Sequence, residues 1–411
     1  MRNRSISKGS ILKTIYIGIL LQASPQLFAQ SLNAAVYTQL EDNGVKPCGE
    51  LLGSDSAALV LTGALAGPNL CGRSPTAPSG GTDTPATGGT ASPTTIVGII
   101  KNAKLSKTVE ESESSSSLSQ GYANGNFFIT VERGSLDRDV SELEDGYESN
   151  NLKSIFGGDY RFNDKLIAGL LFELSQNYID YDAGGDSDIE TSGLIAYVAY
   201  SLTDDFIMQM YGGFYSQNYK SSRLSSFIEY DDFGGVNAYV FGTPGSDFDA
   251  TQFSAGAQAS YNFIIGRVIF APTLAIDWLD TDFDTYNEQG DSGLELRFHD
   301  DSITSLQSSA SLDASMAIRS GGWVFIPQLG VNFKHEYDND QREIEVSFVG
   351  DTRSKLFSFE TDSPDRDWLE FNVGLVAVTG KSTQVFANYR TLSGHDYFDG
   401  DAFSVGIRSP F

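Results

Sequence analysis

Residues 402–411 of the chain read AFSVGIRSPF. Phe403, Val405 and Ile407 alternate with small or polar residues, and this period of two places apolar groups on one face of a β-strand. Phe411, the terminal residue, falls on the same apolar face. Chain termini usually fray into water, so a soluble protein rarely ends this way. Taken alone, the stretch fits either the closing strand of a membrane β-barrel or an edge strand of a soluble β-sandwich.

The composition favours β-structure and excludes two other classes. The chain has 411 residues, with 54 Asp plus Glu against 27 Lys plus Arg, so it lacks the basic footprint of a nucleic-acid-binding protein. It has 42 Gly, 19 Tyr and 27 Phe but only 4 Met, which suits strands with aromatic girdles. Beyond the first thirty residues there is no apolar run of about 18 residues that could span a membrane as a helix.

The same alternation recurs along the C-terminal part of the chain. From Gly125 onward, about twelve segments of about ten residues alternate apolar with polar or small residues, as in 166–174, 268–278 and 323–333. The opposite faces are polar or small, as at Gln307, Ser309, Ser311, Asp313, Ser315 and Arg319. Each unpaired polar group would cost about 1 to 3 kcal/mol in a dry core. The sequence therefore predicts an all-β fold: a transmembrane antiparallel up-and-down β-barrel of about 12 strands.

The connections between these segments alternate in length. Five short connections are expected at 163–164, 202–205, 264–266, 320–322 and 380–381. Six long connections are expected at 134–150, 180–188, 220–249, 282–302, 338–367 and 393–401. Short periplasmic turns and long external loops are typical of outer-membrane barrels, and twelve strands place both termini on the short-turn side. The long loops are acidic, which indicates either solubility at a cell surface or binding of divalent cations or cationic partners.

The N-terminal third is predicted to divide into four parts. Residues 1–29 have the basic, apolar and polar order of a signal peptide, with cleavage expected between Ala29 and Gln30, although an uncleaved anchor remains an alternative. Residues 30–73 contain the only two cysteines, Cys48 and Cys71, which are expected to form a disulfide worth about 3 kcal/mol in an exported chain.

The remaining parts are a linker and a candidate helix. Residues 74–95 are rich in Pro, Gly, Ser and Thr and cannot bury enough surface to fold. Residues 96–121 combine a candidate helix, 96–111, with a polar run, and the barrel is expected over 122–411.

We find no sequence support for an enzyme, a metal site or a cofactor. The three histidines, His299, His335 and His395, lie in or near the long loops, where acidic neighbours such as Glu336 and Asp396 are frequent by chance. A G-x-S-x-G elbow, a P-loop and a C-x-x-C pair are all absent. The sequence therefore predicts no catalytic, cofactor-binding or metal-binding residues.

Over about 290 residues, 122–411, the chain resembles the autotransporter β-domain family of type V secretion. The resemblance rests on the alternating strands, the final strand ending at Phe411 and the segment between signal and barrel. It implies an outer-membrane barrel that anchors an N-terminal passenger and moves it to the cell surface, with a helix in the pore. Residues 96–111 would be that helix. Phe403, Val405, Ile407 and Phe411 would be the C-terminal assembly signal.

The resemblance also implies partners: outer-membrane lipid, the barrel insertion machinery and periplasmic chaperones, with no nucleic acid and a monomeric barrel. One departure is plain, because family passengers are long and rich in repeats, whereas only about 90 residues precede this barrel. The segment is then a short displayed peptide or a plug. The alternative function is a stand-alone outer-membrane pore, or a surface adhesin whose acidic loops are the functional surface.

Overall fold

The computed structural model describes residues 125–141, 143–230, 236–320, 322–352, 356–379 and 383–411. The predicted signal peptide, cysteine pair, linker and helix all lie outside these ranges. Within them no helix is long and apolar enough to cross a membrane.

The described residues form twenty strands. In chain order these are β1 (Gly125–Arg138), β2 (Tyr147–Arg161), β3 (Leu166–Tyr181), β4 (Gly185–Ser201), β5 (Phe206–Arg223), β6 (Ser225–Tyr230), β7 (Val236–Gly242), β8 (Gly245–Tyr261), β9 (Phe263–Ile265), β10 (Val268–Phe283), β11 (Tyr286–Asn287), β12 (Leu296–Phe298), β13 (Asp301–Met316), β14 (Ile318–Ser320), β15 (Trp323–Glu336), β16 (Glu343–Phe348), β17 (Phe357–Glu360), β18 (Asp367–Thr379), β19 (Gln384–Ser393) and β20 (Phe398–Pro410).

Twelve of these strands close into one antiparallel barrel, as predicted. Around the barrel the order is β1, β2, β3, β4, β5, β8, β10, β13, β15, β18, β19 and β20, and β20 pairs with β1 to complete the ring. The short strands β9 and β14 extend this sheet by pairing with β10 and β15. A closed ring leaves no free strand edge, which a sheet in lipid requires because the bilayer core offers no water to hydrogen-bond.

The two ends of the described chain meet at the closing seam. The register pairs Ile129 with Ile407 and runs from Asn126 opposite Pro410 to Arg138 opposite Phe398. Phe411 lies just beyond this ladder, and its backbone N–H donates to the carbonyl of Gly125 at 3.0 Å. The terminal residue is thus tied to the first residue of β1.

The outward face of the wall is apolar, as the alternation predicts. Phe403, Val405 and Ile407 are 51%, 44% and 39% exposed, so they face lipid rather than the interior. The same face of β3 carries Leu170 and Phe172. The strands run from 10 residues in β19 to 18 in β5, whereas about 9–11 tilted residues are enough to cross the membrane. Several strands therefore extend beyond the apolar band.

This extension corrects the predicted loops. The long connection predicted at 180–188 is wrong: β3 and β4 continue to a turn at residues 182–184. Those predicted at 134–150 and 393–401 shrink to 139–146 and 394–397. The other three are long and contain strands of their own. We call the barrel end that carries them the loop end and the opposite end the turn end.

The inner face is layered rather than uniformly polar. Toward the turn end an apolar cluster packs inside the wall, comprising Phe128, Ile155, Leu171, Ile195, Tyr197, Ala199 and Tyr215. At the loop end a second apolar cluster includes Leu136, Tyr147, Ile179, Tyr219, Phe248, Phe283, Ile303 and Phe398. Polar and charged side chains lie between the two clusters. The expected polar lumen is confirmed for this middle layer and for buried polar residues near the turn end, such as Asp159 and Arg408.

Two of the long connections fold together at the loop end. Strands β11 and β12, from 284–300, and β16 and β17, from 337–366, form one four-stranded sheet, which we call the lid. The lid is amphipathic. One face is buried and consists of Leu296, Phe298, Ile344, Val346, Phe348 and Phe359, while the other exposes Arg297, Glu343, Glu345 and Glu360. The third long connection forms the separate hairpin β6–β7.

Candidate functional site: the lumen and its closed end

The polar middle layer of the lumen contains a buried network of charges on neighbouring strands. Glu132 of β1 lies 3.8 Å from the Nζ of Lys153 on β2 and 3.5 Å from the Nη2 of Arg390 on β19. All three side chains are at least 90% buried. Charges removed from water to this extent are retained only where they are paired, so the network fixes the relative position of the three strands.

Glu173 is the exception in this layer. Its side chain on β3 is fully buried, and neither carboxylate oxygen has a hydrogen-bond partner among the described residues. The register places it diagonally across from Lys153, two residues along the paired strand. A buried carboxylate without a hydrogen bond is costly, and the opposite charge that acts on Glu173 is that of Lys153.

A second ion pair lies near the closing seam. Arg408 of β20 donates from Nη2 to the Oδ2 of Asp159 on β2 at 2.6 Å, and the two side chains are 3% and 0% exposed. Asp159 also accepts bonds from Asn126 at 2.8 Å and from the Tyr197 hydroxyl at 3.2 Å. The first, second, fourth and last barrel strands are thereby linked through one carboxylate.

Further polar pairs continue round the ring from β19. Lys334 of β15 lies 3.0 Å from the Oε1 of Glu370 on β18, which also accepts a bond from Asn332 at 3.4 Å. Tyr211 of β5 donates to Asp277 of β10 at 2.8 Å. The lumen is therefore lined by charges of both signs, which suits a polar chain in extended or helical form better than an apolar ligand.

The lid lies against the wall at the loop end. Four aromatic rings stack in a row from wall to lid: Tyr219 on Phe248 at 4.9 Å, Phe248 on Tyr286 at 3.8 Å, and Tyr286 on Phe298 at 4.7 Å. Tyr219 and Phe248 belong to β5 and β8, whereas Tyr286 and Phe298 belong to the lid. The buried face of the lid and the apolar cluster of the loop end are thus continuous.

His335 and His395 each lie close to an acidic residue that is not their neighbour in the sequence. His335 contacts Asp367 at 2.7 Å on the outer side, while Glu336 points inward and accepts a bond from Ser305 at 2.6 Å. His395 packs against Trp368, with ring centroids 5.3 Å apart, and lies 3.7 Å from Asp365. Burial lowers the pKa of His395 below its usual 6.5, against the opposing influence of Asp365 and Asp396.

The other predicted site residues divide between the wall and the undescribed part of the chain. Ala29, Gln30, Cys48 and Cys71 lie outside the described residues. Phe403, Val405 and Ile407 share the lipid face, and Phe411 packs its ring against Gly125. In the part of the chain that the structure describes, no group of three or more His, Cys, Asp or Glu could hold a metal ion.

Sequence reasoning missed the inner charges. Glu132, Lys153, Glu173 and Arg390 alternate with outward apolar residues and so belong to the predicted inner faces, but nothing in the sequence shows which of them meet. The sequence marks these residues in one way: each is an ionisable residue at an inward position of a membrane strand. Such a residue is costly unless it serves a function or has a partner.

Comparisons with known proteins agree with this architecture. A model of the autotransporter beta-domain family matches residues 127–390. The translocator domain of the autotransporter NalP from Neisseria meningitidis is 13% identical, with a TM-score of 0.52, over 77% of this chain and 98% of that chain. The beta domain of the Bordetella autotransporter BrkA is 15% identical, with a TM-score of 0.51, over 70% of this chain and 100% of that chain. No curated protein matches the chain.

Proposed function

The chain belongs to the autotransporter β-domain family and forms an outer-membrane barrel, and on this ground we propose that it anchors and exports its own N-terminal segment, residues 30–121. The long loops then lie at the cell surface and the turn end in the periplasm. The barrel works as a structural translocator and not as an enzyme. It is a monomer, inserted with the help of periplasmic chaperones and the barrel insertion machinery, which reads Phe403, Val405, Ile407 and Phe411.

The observation that carries this proposal is the carboxylate of Glu173 in the middle of the lumen, which accepts no hydrogen bond from the described residues. β1 begins at the turn end, so the residues that precede Gly125 reach the barrel there. The segment 96–111 contains three lysines, Lys101, Lys104 and Lys107. With this segment inside the lumen, one of the three ammonium groups supplies the missing donor, since a charge-assisted bond offsets the burial of the carboxylate.

Cysteine cross-linking tests the position of this segment. In a chain with Cys48 and Cys71 replaced by serine, Glu173→Cys is combined in turn with Lys101→Cys, Lys104→Cys and Lys107→Cys. We expect at least one of the three pairs to form a disulfide in membranes. The matched control is Glu190→Cys, which faces outward on β4 and is exposed. Failure of all three pairs, or equal cross-linking of the control, would contradict a segment in the lumen.

Export is tested separately by surface exposure. An epitope inserted between residues 30 and 73 should be accessible to antibody, and cleavable by added protease, on intact cells. An epitope that is protected until the outer membrane is opened would show that the segment stays in the periplasm as a plug.

The alternative of a stand-alone pore is weakened by the lid, because an open channel would not keep an apolar cluster and a sheet at its mouth. Steady single-channel conductance by the full chain would support the pore instead. The adhesin alternative has one observation in its favour: the exposed face of the lid carries Glu343, Glu345 and Glu360. Their replacement by glutamine should then abolish binding to a basic surface while leaving export of the epitope intact.

A further inference from the structure

The lid is held to the barrel at two arginines, each the last residue of a barrel strand. Arg223 ends β5, and its guanidinium donates to both carboxylate oxygens of Glu288 at 2.6 and 2.7 Å. It also donates to the carbonyl of Leu294 at 2.8 Å, while Glu288 accepts the N–H of Leu296 at 2.7 Å. Arg223 and Glu288 are each about 5% exposed. The first lid loop is therefore fixed to β5 by a buried bidentate pair.

The second lid loop is fixed in the same way at β1. Arg138, the last residue of β1, donates to Asp362 at 2.6 Å and to Glu144 at 2.8 Å. Its guanidinium also lies over the ring of Tyr397, 5.4 Å from the centroid. Asp362 belongs to the loop 337–366, and its N–H donates to Glu144 at 3.0 Å. We call the Arg223–Glu288 and Arg138–Asp362 pairs the two latches.

The latches lie away from the strands that carry the lid. The lid loops leave the barrel between β10 and β13 and between β15 and β18. The strands that hold them, β5 and β1, lie farther round the ring, beyond β8 on one side and beyond β19 and β20 on the other. Each loop therefore extends past at least one neighbouring strand to meet its arginine. Between the latches the buried face of the lid continues the apolar cluster of the loop end.

We propose that the lid is a gate with two latches. With both arginines paired it covers the loop end of the lumen, and it must unlatch and swing off the apolar cluster before a folded polypeptide segment or a large solute can pass. A buried pair suits this role because it is stable while both partners are present, whereas loss of one partner leaves an uncompensated buried charge that favours release. The inference rests on the proposed function in one respect only, namely that the lid faces the outside of the cell.

The test measures access to the space beneath the lid in the full chain. The reporter is Thr281→Cys, in a background with Cys48 and Cys71 replaced by serine. Thr281 is fully buried and points inward on β10, two residues before Phe283, the last residue of the strand. A maleimide carried on a large polyethylene glycol, which does not cross the outer membrane, is added to intact cells, and labelling of residue 281 is followed by peptide mass mapping.

We expect slow labelling when both latches are intact and a rise of about tenfold or more with Arg223→Met or Arg138→Met, because the labelling rate follows the open fraction. The matched control is Arg297→Met, which removes an exposed arginine from the outer face of the lid and should leave the rate unchanged. Heat-modifiable mobility confirms that each variant is a folded barrel.

A disulfide that holds the lid closed gives the opposite test. Gly245 of β8 and Gln289 of the lid loop form an antiparallel bridge, with backbone bonds of 3.0 and 2.7 Å, so their Cα atoms are about 5.5 Å apart, within disulfide range. A side chain at Gly245 has room, since its Cβ would come no closer than 3.4 Å to the nearest atom. Oxidised Gly245→Cys/Gln289→Cys should restore slow labelling in the Arg223→Met variant, and reductant should reverse this.

A second reporter separates failure of the gate from failure of the orientation. Asn287→Cys lies exposed on the lid and should be labelled on intact cells in every variant. If Asn287→Cys is protected on intact cells, the proposed orientation is wrong. The gate is then tested in detergent micelles, by comparing the labelling rate of Thr281→Cys between the latch variants and the control variant. The gate would be overturned if the labelling rate of Thr281→Cys, on intact cells or in micelles, changed neither with the latch variants nor with the cross-link.

Discussion

The ion pair between Asp159 and Arg408 predicts a large loss of stability from one substitution on the last strand. Replacing Arg408 by methionine keeps most of the side-chain volume but removes the donor that lies 2.6 Å from the Asp159 carboxylate. Breaking a buried pair from one side costs about 3–5 kcal/mol, because the remaining charge is left uncompensated. Two donors, Asn126 and Tyr197, stay on Asp159, so we expect the lower end of this range, about 3 kcal/mol.

The assay is reversible unfolding in urea of the purified barrel in detergent micelles, with the folded fraction read by heat-modifiable mobility. The matched control is Arg267→Met, because Arg267 is exposed in the turn between β9 and β10. Its free energy of unfolding should change by less than about 0.5 kcal/mol. The double variant Asp159→Asn/Arg408→Met should recover about 2 kcal/mol of the loss, since it removes both charges of the pair.

If Arg408→Met were as stable as Arg267→Met, the charge would not be buried as the structure places it. If the double variant were as unstable as the sum of the two single variants, the two groups would not interact. Either result would refute the reasoning.

Three further predictions concern the wall, the terminus and the loop end. Gly193→Ala should lower the free energy of unfolding by about 1–3 kcal/mol, because its Cβ would overlap the ring of Tyr215, whereas Gly212→Ala, whose Cβ meets nothing closer than 3.8 Å, should be neutral in the same urea assay. Phe411→Asp should refold in micelles, since its outward position near the interface costs only about 0–1 kcal/mol, but should reach the outer membrane of cells poorly; normal membrane levels would remove its role as a signal. The loop around His395 should loosen as the pH falls below about 6.5, because its lowered pKa means that the unfolded state binds the proton more readily in that range. Protection factors of the loop amides, which correct hydrogen exchange for its intrinsic pH dependence, should fall between pH 7.5 and pH 5, and unchanged protection factors would contradict this.

The fold could be predicted because lipid imposes a strict rule on every strand. Outward positions within the apolar band must be apolar, so residues such as Leu170, Phe172 and Ile407 reveal both the strand and its face. The turn at 182–184 was predicted as a longer loop, 180–188, for a related reason. Asp180 and Asp186 resemble loop residues, but they lie on the outer face of strands that extend beyond the apolar band, where water solvates them.

The inner site could not be predicted in the same detail. Asp159 and Arg408 are 249 residues apart in the chain, and their contact depends on the register of several strand pairs and on closure between β1 and β20. A shift of one residue in any pair would reverse the faces. The lid was missed because its strands, β11, β12, β16 and β17, are two to six residues long and carry too few alternations to be recognised.

The central claim is a barrel with its long loops outside the cell and its short turns in the periplasm. It is tested most directly by labelling single cysteines with a membrane-impermeant maleimide, using Asn237→Cys in the connection 224–244 and Lys381→Cys in the connection 380–383. We expect Asn237→Cys to be labelled on intact cells and Lys381→Cys to be labelled only after the outer membrane is permeabilised. Labelling of Lys381→Cys on intact cells, with Asn237→Cys protected, would contradict the account.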